Sequence, residues 1–348
     1  MNTMEFDIQP LDQDAMTAAR QRQDQLTKPR GSLGRLEALS IQLAGIYGQE
    51  IPSIAKKAVV VMAGDHGVTT EGVSAYPSEV TPQMVMNFLH GGAAINVLSR
   101  HQGARVVVVD MGVIGDIAPH EDLISMKVAN GTANLAQGPA MSVVQAEQAI
   151  QAGRSLLKGL IDQGVNLVGT GEMGIGNTTP SSALTAALTG APVEEVVGRG
   201  TGVDDEGLER KITAVKRGLE VNEPDPESPL EALAKVGGFE IAGLVGLILG
   251  GAENRIPVVI DGFITGAAAL VAAYMEPASV NYMIASHQSV EIGHRVILED
   301  LGLEPLFKLD LRLGEGTGAA LAMNMVEASA KILAEMATFE NAGVTDKE

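Results

Sequence analysis

The sequence predicts an α/β protein built on a doubly wound, mainly parallel sheet of six strands. Six short apolar runs recur along the chain, helical patterns separate most of them, and polar, glycine-rich segments follow five of them. Strands that alternate with helices are typical of βαβ units, in which neighbouring strands pair in parallel. We also expect a smaller helical domain from both chain ends, residues 1–50 plus about 318–348, beside a large α/β domain over residues 51–317.

The order of the elements follows from the patterns. Helices are expected at 11–27 and 33–48, separated by the breaker cluster 28–32. The expected strands are 58–63, 105–111, 166–169, 257–260, 282–285 and 307–311. Later helices are expected at 144–161, 208–219, 240–249, 266–274 and about 317–339, and the Pro-rich acidic segment 221–229 is expected to be a surface loop.

The composition excludes several classes of protein. Lys and Arg number 24 against 43 Asp and Glu, a net charge of −19, which disfavours nucleic acid and anionic membranes as partners. The absence of cysteine excludes disulfides, thiolate catalysis and cysteine zinc sites. The acidic, polar N-terminal segment does not resemble a signal peptide and no apolar stretch is long enough for a membrane span, so we expect a cytoplasmic protein. One small phosphorylated ligand is still compatible with this charge.

Polar segments after the expected strands predict a shared ligand crevice. They are 64–67, 171–179, 261–262, 286–289 and 314–318. Open α/β sheets bind ligands at the carboxyl ends of their strands. Any one of these segments could be a simple turn; five together favour a common site.

Two of these segments place a glutamate beside glycine. Glu172 follows Gly171, and Glu315 lies between Gly314 and Gly316. Without bulky neighbours, such a carboxylate is open to a ligand, and partial burial would raise its pKa toward that of a general base. The alternative is a solvated loop carboxylate, the commoner fate of a single glutamate.

The segment 198–206 could bind an anion. Its glycines precede a helix that contains Lys211, and exposed N–H groups at a helix start attract phosphate. Asp204 is a suitable N-cap for that helix. The alternative is a flexible loop followed by a capped helix. The spacing does not match a Walker A motif.

Two further patterns carry less weight. Residues 314–319 fit the dinucleotide fingerprint G-x-G-x-x-A, but no second strand follows to complete a βαβ unit. Asp65, His66, Asp110 and His287 could suggest a metal centre, although no ligand spacing supports it. A buried histidine bonded to a backbone carbonyl is the favoured interpretation.

Six segments taken together resemble one family, the nicotinate-nucleotide–dimethylbenzimidazole phosphoribosyltransferases of the cobalamin pathway. They are KPRGSLGRLE (28–37), GDHGV (64–68), GEMGIGNTT (171–179), GRGTGVDDEGLERK (198–211), DGFITGAAAL (261–270) and GEGTGAAL (314–321). The resemblance implies a Rossmann-like sheet, a helical domain from both chain ends and a homodimer. It implies transfer of phosphoribose from nicotinate mononucleotide to 5,6-dimethylbenzimidazole, giving α-ribazole 5′-phosphate and nicotinate, with no cofactor and no metal.

The resemblance also assigns roles to residues. Glu315 is implied to be the catalytic base, and Glu172 lines the same site. Substrate contacts are implied for Gly174, Ile175, Gly176, Asn177, Gly202, Lys211, Asp261 and Ser289, with the phosphate at the glycines, Lys211 and Ser289. The base pocket is implied to involve Tyr76, Gln83, Met84, Met173 and Leu313.

This chemistry is consistent with the residues. The nicotinate nitrogen of the donor is already a pyridinium, so the leaving group needs no proton, whereas the attacking benzimidazole must lose one to Glu315. Attack opposite the leaving group inverts C1′. Two alternatives belong to other classes: a non-catalytic nucleotide-binding protein, and a metal-dependent hydrolase that uses Asp65 and His66.

Overall fold

The computed structural model describes residues 4–345. Residues 1–3 and 346–348, which the predicted helical domain includes, lie outside the described residues. The sheet has six strands, all parallel, in the order β3-β2-β1-β4-β5-β6. The strands are β1 (Lys57–Gly64), β2 (Ala104–Gly112), β3 (Leu123–Ser125), β4 (Leu167–Met173), β5 (Val258–Ile260) and β6 (Met283–Ala285).

The predicted fold class is confirmed. From β1 the chain first builds outward through β2 and β3, and then returns to add β4, β5 and β6 on the other side of β1. This reversal makes a switch point between β1 and β4, where doubly wound sheets open a crevice at the carboxyl ends of the strands. Val61 pairs with Gly171 in register, so the two strands end together at that crevice.

One predicted strand is wrong and one strand was missed. Residues 307–311 form an extended segment with a single isolated bridge between His287 and Phe307, not a strand. Asp310 has φ +53°, in the left-handed region, which interrupts a β ladder. The sixth strand is instead β3, three residues beside β2. A run this short gives no detectable alternation.

Helices cover both faces of the sheet. They are α1 (Gln13–Gln25), α2 (Arg35–Tyr47), α3 (Val80–Leu89), α4 (Ala94–Gln102), α5 (Val143–Asp162), α6 (Thr178–Thr189), α7 (Val193–Val196), α8 (Asp205–Asn222), α9 (Pro229–Val236), α10 (Phe239–Glu253), α11 (Phe263–Met275), α12 (Ile292–Asp300), α13 (Thr317–Glu335) and α14 (Phe339–Ala342). Residues 67–71 and 277–282 form 3₁₀ turns. No helix within residues 4–345 combines the length and apolarity that a bilayer crossing requires.

Strand β1 shows how the core divides into two layers. Val60 and Met62 face one apolar cluster, together with residues of α5, α10 and α11. Val59 and Val61 face the other, together with residues of α2, α4 and α13. Successive side chains of a strand point to opposite faces, so a central strand is apolar throughout.

The chain ends meet on one side of the molecule. Helices α1, α2 and α13 contact one another, and Arg22 of α1 donates to the main-chain oxygens of Leu333 and Ala334. The predicted helix over 317–339 ends earlier, at Glu335, because the next residues pair in extended form with residues 26–27. Helix α13 also packs on the sheet. The division into two domains stays a prediction.

Candidate active site

The carboxyl ends of β4, β5 and β6 open into a cavity of about 370 Å³. Many of the predicted site residues line it: Tyr76, Met84, Glu172, Met173, Gly174, Ile175, Asn177, Asp261, Ser289, Leu313 and Glu315. Four others, Gln83, Gly176, Gly202 and Lys211, are not on the cavity wall. The structure therefore brings the segments after β4, β5 and β6 together with residues 312–315 at one place.

Three buried carboxylates form the floor of the cavity. Glu172 is the second-last residue of β4, Asp261 follows β5, and Glu315 precedes α13; none is more than 6% exposed. Glu172 accepts a hydrogen bond from the side-chain amide of Asn177, and its Oε1 accepts one from the main-chain N–H of Glu315 at 3.3 Å. The two glutamates singled out in the sequence are thus direct neighbours.

The N-terminus of α4 holds the Glu315 carboxylate. The N–H of Ile95, in the first turn of that helix, donates to Oε2 of Glu315 at 3.3 Å. Free N–H groups at a helix start favour a negative charge. Burial is the larger influence, however, and raises the pKa of Glu315 above its ordinary value. No sequence pattern points to Ile95, because a main-chain donor can come from nearly any residue type.

Burial shifts the other two carboxyl groups as well. It raises the pKa of Glu172 to about 8, and the negative charges of Asp261 and Glu240 add to the effect. It raises the pKa of Asp261 to about 7, against hydrogen bonds from the main chain of α13. Carboxyl groups this close resist simultaneous ionisation, which is how acid and base roles become separated within one site.

Asp261 anchors the start of α13. Its two side-chain oxygens accept from the main-chain N–H groups of Gly316 at 3.2 Å and Ala319 at 2.9 Å. Since Glu315 is bonded to Gly316, the N-cap residue of this helix, Asp261 also fixes the position from which the Glu315 side chain reaches the cavity.

The glycines beside the two glutamates let two segments approach each other. A Cβ on Gly314 would lie 2.1 Å from Oε1 of Glu172, and one on Gly171 would lie 2.5 Å from the main-chain oxygen of Glu315. The prediction that these glycines leave room for a ligand was therefore incomplete. The absence of a side chain at Gly314 makes room for Glu172, and its absence at Gly171 makes room for the main chain of Glu315.

Lys211 lies behind the cavity wall. Its Nζ donates to Oγ1 of Thr178 at 2.7 Å and to the main-chain oxygen of Gly198 at 3.1 Å. Burial lowers the pKa of this lysine to about 8. Its Nζ lies 3.0 Å from the point where a Cβ on Gly200 would sit, and Gly200 and Thr178 both line the cavity. An ammonium has three N–H donors, so one remains beyond these two bonds.

Arg312 is a cavity residue that the sequence patterns did not single out. It lines the wall, and its Nη1 lies 3.9 Å from the point where a Cβ on Gly202 would sit. It immediately precedes the segment Leu313-Gly314-Glu315, and this position was the only sequence feature that could have indicated a place at the cavity. As predicted, Asp204 caps α8, accepting from the N–H of Gly207 at 2.8 Å.

The apolar part of the wall comes from α3, the start of α11 with Phe263 and Ile264, the end of β4 and two loops. Val80 and Met84 lie one turn apart on α3 and face the cavity with Met173. Tyr76 and Leu313 also line it and are 55% and 57% exposed. Gln83, one position before Met84, is exposed and turns away, because adjacent helix positions lie about 100° apart.

Three of the four residues considered for a metal centre have other partners, and the fourth, His287, lines the cavity. His66 Nε2 pairs with Oε1 of Glu240 at 2.8 Å, Asp65 accepts from the N–H of Ile114 at 2.8 Å, and Asp110 lies 3.2 Å from Lys127. No group of three or more potential metal-ligating side chains was found within residues 4–345. A buried histidine was expected to bond to a backbone carbonyl. For His66 this expectation is wrong, because its partner is the carboxylate of Glu240.

The fold and this cavity define an α/β enzyme that acts on small molecules. A family model described as "Phosphoribosyltransferase" matches residues 8–344, and the chain belongs to that family. It is 61% identical over 341 residues to the nicotinate-nucleotide–dimethylbenzimidazole phosphoribosyltransferase of Chloroflexus aggregans, covering 98% of this chain and 97% of the relative. The relative of the same name from Desulforudis audaxviator is 59% identical over 338 residues, with 97% and 96% covered.

Solved structures agree with this assignment. The chain superposes on the crystal structure of the nicotinate-nucleotide–dimethylbenzimidazole phosphoribosyltransferase from Thermus thermophilus with a TM-score of 0.92. The identity is 50%, and the match covers 97% of this chain and 100% of that one. The resemblance stated from six sequence segments is therefore confirmed over the whole fold.

Proposed function

We propose that this protein transfers phosphoribose from nicotinate mononucleotide to 5,6-dimethylbenzimidazole, releasing nicotinate and forming α-ribazole 5′-phosphate. The names of the relatives support the reaction. The structural observation that carries it is the Glu315 carboxylate, which lines the cavity, accepts from the N–H of Ile95 and lies beside Glu172. A base in this position has an acceptor oxygen available to a heterocycle.

Glu315 acts as the general base in this proposal. One ring nitrogen of the benzimidazole attacks C1′ as the other gives its proton to Glu315, and nicotinate leaves with the bonding electron pair. Attack from the face opposite nicotinate inverts C1′ from β to α. A positioned base contributes about 10²–10⁴-fold to the rate, and alignment of two bound reactants adds up to ~7–11 kcal/mol in ideal cases.

Glu172 and Asp261 support the reacting centre. Because burial raises the pKa of Glu172 to about 8, this group carries a proton at neutral pH before substrate binds. Positive charge that develops at the sugar is stabilised by the carboxyl oxygens of this group. Asp261 maintains the geometry through its bonds to Gly316 and Ala319.

In this proposal the phosphate of the nucleotide binds at the wall formed by the start of α6, Gly200 and Arg312. Gly174, Ile175 and Asn177 belong to the segment that enters α6, and the N-terminal end of a helix favours a negative charge. Lys211 supplies a buried ammonium behind Thr178, and Arg312 supplies a guanidinium on the wall itself. Gly176, Gly202 and Ser289 shape this region. The two cations offset the acidic surroundings locally.

The flat benzimidazole ring fits the apolar wall of the cavity. Met84, Met173, Leu313 and Tyr76 offer thioether, aliphatic and aromatic contacts of the kind that hold a planar heterocycle. Gln83 has no contact with the cavity as it stands. A homodimer and a cytoplasmic location complete the proposal, and both rest on the resemblance and the sequence alone.

The two competing functions are separated by one assay. The purified protein is incubated with nicotinate mononucleotide, with and without dimethylbenzimidazole, and nicotinate and ribazole phosphate are measured by mass spectrometry, with the anomer assigned by NMR. We expect nicotinate release that depends on the benzimidazole and persists in EDTA. Nucleotide binding without release would favour a sensor, and activity that chelator abolishes would favour a metal-dependent hydrolase.

A further inference from the structure

His287 is a buried cavity residue to which the proposed chemistry gives no part. It follows β6, is 3% exposed and lines the cavity near Asp261 and Gly262. Its ring stacks on Phe307 with centroids 5.8 Å apart and planes 17° from parallel. The ring is thus held in one orientation, and its two nitrogens have different surroundings.

The bonds of Ser286 determine which nitrogen of His287 carries the proton. Ser286 Oγ donates its only proton to the main-chain oxygen of Asp261 at 2.7 Å. The same Oγ lies 3.0 Å from Nδ1 of His287, so Nδ1 is the donor in that contact. Burial lowers the pKa of His287 to about 4, and a neutral imidazole has one N–H. Nε2 therefore presents a lone pair at neutral pH.

That lone pair lies on the ligand side of the ring. Gly262 lines the cavity, and a Cβ on it would lie 3.5 Å from Cε1 and 3.7 Å from Nε2 of His287. Nδ1 instead lies against Gly318 in α13, where a Cβ would come within 2.0 Å. A buried acceptor that faces a cavity is suited to a ligand O–H or N–H.

The position of His287 in the sheet indicates that the donor to Nε2 is a hydroxyl group of the sugar. Val80 and Met84 of the apolar wall belong to α3, which packs near β1, β2 and β4, whereas Phe263 and Ile264 of the wall lie at the start of α11, after β5. His287 follows β6, at the opposite edge of the sheet. Glu172, Asp261 and Glu315 lie between the two. If C1′ lies at these carboxylates and the benzimidazole lies on the α3 side, the hydroxyls of the pentose extend toward His287.

We propose that Nε2 of His287 accepts a hydrogen bond from a ribose hydroxyl of the nucleotide donor and makes the enzyme selective for ribonucleotides over deoxyribonucleotides. The proposal rests on the proposed function and adds a sugar specificity to the same site. Polar recognition of this kind discriminates strongly, because the substrate that lacks the hydroxyl leaves a buried acceptor unpaired.

The test compares donors and variants in one matrix. kcat/KM for nicotinate release is measured with nicotinate mononucleotide and its 2′-deoxy and 3′-deoxy analogues, using wild-type protein, His287→Phe, His287→Gln and Phe307→Leu. His287→Phe keeps a flat ring but removes the lone pair. Phe307→Leu removes the stacking partner but keeps the lone pair, and is the matched control.

We expect wild-type protein to prefer the ribonucleotide over one of the two analogues by roughly 10- to 100-fold. In His287→Phe that preference should fall to within about threefold, while Phe307→Leu should retain it and His287→Gln, which keeps an acceptor oxygen, should restore part of it. An unchanged preference in folded His287→Phe would overturn the proposal. So would a wild-type protein that uses both analogues as well as the ribonucleotide, whatever the variants do. A protein that releases no nicotinate at all would instead overturn the proposed function.

Discussion

The main-chain N–H of Glu315 donates to the carboxylate of Glu172 at 3.3 Å, so one glutamate of the site holds the backbone of the other. Glu315 needs that support, because its φ of +63° lies in the left-handed region that non-glycine residues rarely adopt. Backbone strain of this kind persists where surrounding contacts over-determine it, and it concentrates at functional sites. The pair therefore acts as one geometric unit.

Gly314→Ala is expected to reduce kcat by roughly 100-fold while the protein stays folded. A Cβ at this position would lie 2.1 Å from Oε1 of Glu172, and the displacement would misplace Glu315; a shift of about 1 Å can cost ~10²-fold. Gly302→Ala is the matched control, since its φ of +62° brings the same backbone strain with no atom within 4 Å. Equal turnover of the two variants would show that contact with Glu172 is unimportant.

Lys211→Ala is expected to raise KM for the nucleotide by roughly tenfold or more and to change kcat less, because a charge-assisted bond to phosphate contributes to ground-state binding. Lys216→Ala provides the control, since Lys216 lies on the same helix and pairs with Glu194 at the surface. Steady-state kinetics with varied nucleotide checks it. A KM that stays at the wild-type value would place the phosphate elsewhere.

The nucleotide should bind more weakly as the pH rises through about 8. Burial lowers the pKa of Lys211 to about 8 from its ordinary value of 10.5, so the folded protein has the ammonium below that pH and loses it above. The decline should appear in kcat/KM, which reports the free enzyme. Lys211→Arg keeps its charge throughout this range and should flatten the alkaline limb. An identical limb in that variant would assign the titration to another group.

Glu315→Gln is expected to raise thermal stability at pH 7 to 8. The unfolded carboxyl group ionises near its ordinary value of 4.5, whereas burial raises the pKa of the folded one. The folded protein binds more protons between these two values, so its stability falls as the pH rises through them. A neutral amide avoids this loss and can still accept from Ile95. The gain should appear as a rise in Tm, measured by scanning calorimetry at pH 7 to 8. Exposed Glu335→Gln should change nothing, and a lower Tm for Glu315→Gln would refute the argument.

Much of the fold could be predicted because its signals are local. The strands β1, β2, β4, β5 and β6 are apolar runs that the surrounding helices bury on both faces, and such runs stand out in a sequence. The two failures have a physical cause. Strand β3 is too short to show a pattern, and residues 307–311 have an extended pattern that Asp310 interrupts with a left-handed φ of +53°.

The cavity lining was predictable where its side chains belong to glycine-rich segments, and less so elsewhere. Glu172, Asp261 and Glu315 are drawn together by the topology, as expected of parallel strand ends. The Ile95 amide at the start of α4 could not be foreseen, since the interaction uses only the main chain. Gln83 lies off the cavity wall because the exact rotation of α3 depends on tertiary packing, and Arg312 lies on the wall beside a more prominent motif.

The most direct measurement is the rate of nicotinate release by Glu315→Gln at saturating nucleotide and dimethylbenzimidazole, together with the Kd of the nucleotide. If the Glu315 carboxylate takes the benzimidazole proton, the rate should fall by about 10²–10⁴-fold, while Kd stays within about threefold of the wild-type value because the phosphate contacts are untouched. A variant that turns over at nearly the wild-type rate would contradict the central role given to this residue.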